Sequence, residues 1–556
     1  MTLKPPRSLV LILLAAPGLV SPLAAQETAA SPCAASALAV RGVADAGIDF
    51  ARLLELSGSV PPVRSWTLVR PSDVRGDPLC GGSGLWQRRL GRVRPAGPTI
   101  ELLPVTALVH RNSAYPRLDH DGALWTGRGL SSAVSFGTQL DWGRLSATFA
   151  PMLAYQDNAD FPTRPVRVST LSPWAYMGHP GRIDWPQRFG DEPFTTIDPG
   201  QSQVSLRFGG FAMGYGSENV WWGPAQRYPL VMGAGAPGVP GLFLGTHRPV
   251  DVGVGDVEWE LTWGVAQESD FFDYHPDNDR RLLAGFIVVF RPDPAPGLSL
   301  GLTRTFMSTL SPDGTAWSDF LLSPYRPGQQ NPDGEHADDR KFSVFARWAL
   351  PDAGFEAYIE WGRENPWTDA GDFFRQPDHS RALMAGFQKV FTGDRRWVRL
   401  RGEGVVLRGA DTFRAGRAAQ TWYTHSQVRQ GHTHRGQLLG GLVGPGSDAQ
   451  FLGGDLFHEN GRVGVFIERV RYDDDAYYVQ FAPYYGHHGQ DVELSAGLSQ
   501  LHFVGPFDLS WAATLSSRHR RNFIEMDGQS WGDLQSELPH ERNVALRLTV
   551  TWRPDV

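Results

Sequence analysis

From Asn543 to Trp552 the chain alternates without a miss. Val544, Leu546, Leu548, Val550 and Trp552 fall on one side of an extended strand, and Asn543, Arg547, Thr549 and Thr551 on the other. Successive side chains of a strand point to opposite faces, so this one meets an apolar medium on one side and a polar one on the other. One such strand would also suit the edge of a soluble sandwich. Two facts narrow the choice: the alternation recurs along the chain, and no run of roughly eighteen apolar residues follows the N-terminal segment to supply a spanning helix. The other structure that satisfies its backbone polar groups inside lipid is a closed barrel. The expected fold class is therefore all-β, a transmembrane antiparallel β-barrel of the bacterial outer membrane. A propeller would need a blade repeat of roughly forty to fifty residues, and the sequence carries none.

The N-terminus agrees. Lys4 and Arg7 precede the apolar run 9–16 and the small residues Ala24 and Ala25. That is the order of charge, core and cleavage site in a secretory signal, so residues 1–25 are expected to be a signal peptide. The chain holds 63 Gly, 30 Phe, 19 Trp and 14 Tyr, yet its mean hydropathy is −0.28. Only alternation lets so polar a chain offer lipid an apolar band. A net charge of −7 over 556 residues lacks the basic footprint of a nucleic-acid binder. Cys33 and Cys80, exported together, are expected to form a disulfide, worth roughly 4 kcal/mol of unfolded-chain entropy in the simple loop model.

Residues 26–98 do not alternate. Ile48, Phe50, Leu53, Leu54 and Leu56 have helical spacing that should stop near Gly58, before Pro61 and Pro62, and a second short helix is expected over Leu85–Leu90. Neither could bury its apolar face alone, so this segment is expected to be a helical plug at the barrel's periplasmic end. Residues 99–556 should form the barrel. Hairpins are read at 280–290 with 298–308, 340–350 with 354–363, 380–391 with 396–408, 461–471 with 476–484, and 490–503 with 506–517. The rhythm gives about eighteen strands, with short turns on one side and long loops on the other, the longest at 156–200 and 409–460.

The most unusual segment is Glu218-Asn219-Val220-Trp221-Trp222-Gly223-Pro224, followed by Pro229-Leu230-Val231-Met232 and Val239-Pro240-Gly241-Leu242. With Arg52-Leu53-Leu54-Glu55-Leu56 running on to Trp66, and Glu258-Trp259-Glu260 on to Gln267-Glu268, it resembles the Wzi-type capsule-assembly family of outer-membrane barrels. The family motif falls on Trp221, Trp222, Gly223 and Pro224; a Gly is usual where this chain has Ala225. The resemblance implies a plugged barrel that binds and organises surface or capsular polysaccharide, lectin-like and without catalysis.

Trp221 and Trp222 are expected at the outer end of a strand, where rings can stack on sugar C–H faces or join the aromatic girdle. Loop 409–460 carries Arg414, Arg417, Trp422, Tyr423, Arg429 and Arg435, cations interleaved with aromatics in a pattern suited to an acidic polysaccharide. His432 and His434 with His425 or His458 could be zinc ligands, but the spacing on an irregular loop is not diagnostic and no metal or other cofactor is assigned. His425 beside Ser426 matches no hydrolase motif. Inward-facing Arg207, Glu258, Glu260, Arg347, Glu356, Arg399, Glu403 and Glu468 carry both signs, which suits either a plug held by ion pairs or the water-filled lumen of a porin-like channel. The expected partners are polysaccharide and outer-membrane lipid, with the protein acting as a monomer.

Overall fold

The computed structural model describes residues 33–35, 46–62, 64–71, 84–93, 97–310, 338–364, 370–410, 421–482, 489–526 and 540–554. The expected signal peptide, Cys80, Arg414, Arg417 and the pair His487-His488 lie outside them. The first strands of the barrel are β1 (Thr99–Asn112), β2 (Gly129–Trp142) and β3 (Leu145–Phe149, continued by Met152–Gln156). Next come β4 (Phe194–Asp198, continued by Gln203–Phe208), β5 (Phe211–Gly216) and β6 (Gly241–Thr246, continued by Val250–Asp251). The middle strands are β7 (Gly255–Gln267), β8 (Arg280–Pro292), β9 (Leu298–Thr309), β10 (Asp339–Leu350), β11 (Phe355–Glu364) and β12 (Arg381–Thr392). The last are β13 (Arg396–Val406), β14 (Asp448–His458), β15 (Gly461–Tyr472), β16 (Asp491–Val504), β17 (Phe507–His519) and β18 (His540–Trp552). Each pairs antiparallel with its neighbour, and β18 returns to β1 with Trp552 opposite Val105, closing eighteen strands.

The outer surface is the lipid phase of the alternation. Leu546, Ile467 and Leu515 are 50%, 60% and 63% exposed, and apolar residues two apart continue the band on neighbouring strands. Trp142, Trp348 and Trp552 are also exposed near the strand ends that meet short turns, as an interfacial girdle requires. Those short turns mark the periplasmic rim, and the long connections mark the outer one.

Protein fills the lumen. Helix α1 (Ala46–Leu56) sits inside the periplasmic end. It stops where Gly58, at φ 71, lets Ser59 N–H reach back to the Leu54 carbonyl at 3.0 Å, a left-handed closure that glycine makes without a Cβ penalty. Phe50 stacks on Trp86 of α2 (Leu85–Leu90) at 4.4 Å, and Trp86 meets the edge of Phe503 from β16. The helix's polar residues face barrel charges of opposite sign. Arg52 reaches Glu356 at 2.7 Å, Glu55 reaches Arg347 at 2.9 Å, Asp49 reaches Arg462 at 2.5 Å and also pairs with Arg399. Further along, Arg70 meets Glu260 at 3.0 Å and Ser65 N–H donates to Glu258 at 2.9 Å. Five of the eight inward charges read from the sequence thus hold the plug, while Arg207 pairs with Asp141 on the barrel wall.

Two expected elements are wrong. Residues 448–458, assigned to a long loop, are β14; the strand expected over 476–484 is helical from Asp474 through Phe481. Asp473, at φ 43, accepts the Ala476 N–H and starts a helical turn. On β14 the inner face carries Ala449, Phe451 and Phe457 against other protein, interrupted by the ion-paired Asp455, so apolar residues lie on both faces and the polarity alternation is blurred. The errors cancel in the strand count.

Candidate functional site

Two outer connections dive into the barrel: 217–240 between β5 and β6, and the part of the β13–β14 connection from residue 421 to 447. Together with inward residues of β7 to β15 they make an apolar core within the lumen, including Leu230, Val231, Trp422, Tyr423 and Leu439. Trp221 and Trp222 are 1% and 0% exposed. Their expected place at an outer strand end is therefore corrected. They form a two-residue bridge with Leu68 and Val69 of the plug segment, Trp221 packing into the plug cluster and Trp222 into the lumen core. With both rings enclosed by protein, neither can stack on a sugar from outside. Gly223 follows at φ 94, donates its N–H to the Thr67 carbonyl at 2.8 Å, and has the Glu360 carboxylate where a Cβ would stand. Pro224 is buried beside it. The motif is a clasp between plug and inner loop.

Trp422 and Tyr423 are equally enclosed, 2% and 0% exposed. The Tyr423 hydroxyl donates to the Leu230 carbonyl at 2.8 Å and accepts the Gly441 N–H at 2.7 Å. The expected sugar platform is thus a tie between the two inner loops. Arg429 and Arg435 are about a third exposed and face Asp273 and Asp198 at 3.6 and 3.1 Å. The histidines do not converge, and among the described residues no three metal-ligating side chains meet. His432 Nε2 bonds the Val231 carbonyl at 2.7 Å, His434 Nδ1 accepts the Gln267 N–H at 3.0 Å, and His425 Nδ1 accepts the Val428 N–H at 2.9 Å. Burial, reinforced by Lys341, pushes His432 down to about 3, so it is a neutral imidazole.

The surface open to a ligand is elsewhere. An open-mouthed cavity of about 140 Å³ lies at the outer end, walled by the connections after β1, β3, β5, β13 and β17 and by the outer ends of β15 and β17. Its floor is a chain of ion pairs. Arg227 grips Glu468 through two N–H groups at 2.7 and 2.9 Å, and the Tyr228 hydroxyl joins the same carboxylate at 2.6 Å. Arg117 bridges Glu468 at 2.6 Å and Glu493 at 2.9 Å. The Tyr472 hydroxyl donates to Glu493 at 2.9 Å, and Arg518 lies 3.8 Å over the Tyr472 ring while holding Asp491 at 2.7 and 2.8 Å. Trp125, Trp185 and Phe161 supply further aromatic wall. The backbone at 226–228 is fixed from beneath by Glu403, which accepts the N–H groups of Gln226, Arg227 and Tyr228 at 2.8, 2.9 and 2.6 Å. Planar polar groups held rigid beside ring faces are the standard means of orienting a small polar ligand.

Sequence reasoning named Glu468 and Glu403 as inward charges but missed Arg117, Arg227, Tyr228, Tyr472 and Arg518. The usable signal was phase. Glu468, Glu493 and Arg518 occupy inward positions at the outer strand ends, and Arg227-Tyr228 stands within six residues of the Trp pair.

A family model described as "Capsule assembly protein Wzi" matches residues 112–524. The chain belongs to the Wzi family. Among solved structures, the Escherichia coli Wzi barrel, described as a carbohydrate-binding outer-membrane protein involved in group 1 capsule assembly, superposes with a TM-score of 0.52 at 11% identity. That match covers 81% of this chain and 84% of the other. The Acinetobacter baumannii protein OccAB2 gives 0.39 at 10% identity, covering 81% and 97%, and Pseudomonas aeruginosa OprD gives 0.35 at 11%, covering 81% and 92%. No curated protein sequence matches. The Wzi assignment places the protein in the outer membrane, and in this Wzi-family barrel the Trp-Trp-Gly-Pro run serves the interior while the outer cavity faces the medium.

Proposed function

We propose that this protein holds capsular polysaccharide at the cell surface as a non-catalytic, lectin-like barrel, and that the outer cavity grips the polymer. The observation that carries the reading is the cavity wall itself. Ring faces of the half-buried Tyr472 and Trp185 stand beside guanidinium and carboxylate groups already locked in place, so binding a sugar costs little side-chain ordering. Membership of a capsule-assembly family, and the carbohydrate binding ascribed to the Escherichia coli barrel, support the same reading. Arg429 and Arg435, partly exposed on the inner-loop surface, extend the contact beyond the cavity. Export by residues 1–25, a monomeric state and a Cys33–Cys80 disulfide complete the proposal.

A porin-like channel would need a continuous aqueous path, whereas plug and inner loops fill the lumen with apolar clusters. The deciding experiment is co-sedimentation of the purified full-length barrel with the producing bacterium's capsular polysaccharide. Wild type is expected to bind, and Arg227→Ala to weaken binding about tenfold, near 1.4 kcal/mol. Absence of binding by the wild type would defeat the proposal.

A further inference from the structure

Resting on the polysaccharide reading, we infer that the outer cavity recognises neutral, hydroxyl-rich sugar units and discriminates against uronate units of a surface polymer. The presence of several arginines suggests the opposite, but none is free to take an incoming carboxylate. Arg227 holds Glu468 with two N–H groups, Arg518 holds Asp491 the same way, and Arg117 spans Glu468 and Glu493. These carboxylates are 1–5% exposed. A uronate that captured one of these guanidinium groups would strand a buried carboxylate, exchanging one ion pair for another at the cost of an uncompensated charge.

The remaining charges point the same way. Asp119 lines the cavity with a carboxylate 51% exposed, facing Arg547 at 3.0 Å. Partial desolvation in the cavity raises its pKa, but Arg547 and Arg227, with the His120 backbone N–H donated to it at 2.9 Å, hold it well below the usual carboxylate range, so it stays ionised. His120, on the same wall, is kept neutral by burial, which lowers its pKa. An entering anion therefore meets a fixed negative group and no uncommitted cation on this wall. A hydroxyl pair can donate to the carboxylate oxygens and accept from guanidinium N–H groups without displacing anything, while Tyr472 and Trp185 supply ring faces.

The test uses the full-length protein and the producing bacterium's surface polysaccharide in three forms: native, carboxyl-reduced, and oxidised at its primary alcohols to create uronates. The reduced polymer is expected to bind at least tenfold more tightly than the oxidised one, with less than a threefold change between 50 and 500 mM salt. Asp119→Asn, at an exposed position, should recover binding of the oxidised polymer severalfold. Equal or tighter binding of the oxidised form, failure of the reduced form while native polymer binds, or no gain from Asp119→Asn would overturn the inference and leave the polysaccharide reading standing. Failure of the native polymer to bind would remove that reading and this inference with it.

Discussion

The plug is held by charges whose removal has an unequal cost, and that inequality can be measured. Glu356 is 0% exposed and lies between Arg52 of the plug helix, at 2.7 Å and itself 2% exposed, and Arg347 of the barrel, at 2.5 Å. Arg347 has a second acid, Glu55, at 2.9 Å; the other two nitrogens of Arg52 have no hydrogen-bond partner. Glu356→Gln keeps the shape and removes the charge, leaving the Arg52 guanidinium buried without an anion. Breaking one partner of a buried pair costs about 3 kcal/mol or more, which is roughly a hundredfold in the local opening equilibrium. Amide hydrogen exchange across Ala46–Leu56, measured on the detergent-solubilised protein, reads that equilibrium directly. Protection there should fall about a hundredfold in Glu356→Gln. The double variant Arg52→Leu with Glu356→Leu removes a balanced pair and leaves Arg347 with Glu55, so it should exchange more slowly than the single variant. Protection within threefold of wild type in Glu356→Gln, or faster exchange in the double than in the single, would refute the view that these ion pairs hold the plug.

Three further outcomes are expected. Trp222→Ala removes a fully enclosed ring from the lumen core and should cost about 4 kcal/mol, lowering the unfolding midpoint of the refolded barrel; a midpoint unchanged from wild type would deny the ring its packing role. His432 is held near 3 in the folded state against an ordinary value of 6.5, so as pH falls below 6.5 the unfolded chain binds a proton that the folded one refuses. Stability of the 421–447 packing should then drop by roughly 1.4 kcal/mol for each pH unit down to about 3. His432→Gln should flatten that slope in exchange measurements, and parallel slopes in the two proteins would contradict it. Ile467→Arg puts a charge on the lipid band in the middle of β15, at a residue 60% exposed, and should lower folding stability in vesicles by about 2–4 kcal/mol, whereas a neutral effect would show that this face does not meet lipid.

The parts of the fold that were legible in the sequence are those where two different media meet across one strand. On β18 lipid lies outside and polar groups inside, so Val544 to Trp552 alternate visibly. Helix α1 was legible because its apolar spacing ends at a glycine. β14 was hidden because Phe451 and Phe457 point inward against other protein, so that Asp455 alone between them was too weak a polar mark to signal the strand. The tyrosines at 477 and 478 were misleading for the converse reason: they look like strand residues, but the Asp473 cap turns the chain into a helix. Neighbouring Trp221 and Trp222 do point to opposite sides, as strand geometry requires, yet protein fills both. The cavity was least legible, since it is assembled from separate outer connections and strand ends that no local pattern links.

The connection 217–240 joins the two ends of the molecule. Trp221 to Gly223 bond the plug segment at Val69, Leu68 and Thr67. Three residues beyond Gly223, Gln226 begins the stretch whose Arg227 and Tyr228 form the cavity floor. Between them the chain has little freedom, because Glu403 takes three consecutive N–H groups at 226–228 and the Tyr358 hydroxyl at 2.7 Å, while Glu360 crowds Gly223. Barrel strands β11 and β13 therefore fix the middle of a short covalent tie whose ends touch the outer medium and the periplasmic plug. Any load on Arg227 falls on Glu403 and Glu468, both on the barrel wall, before it reaches the plug. The Trp-Trp-Gly-Pro run accordingly joins the plug segment to the connection that carries the cavity floor, without itself lining the cavity.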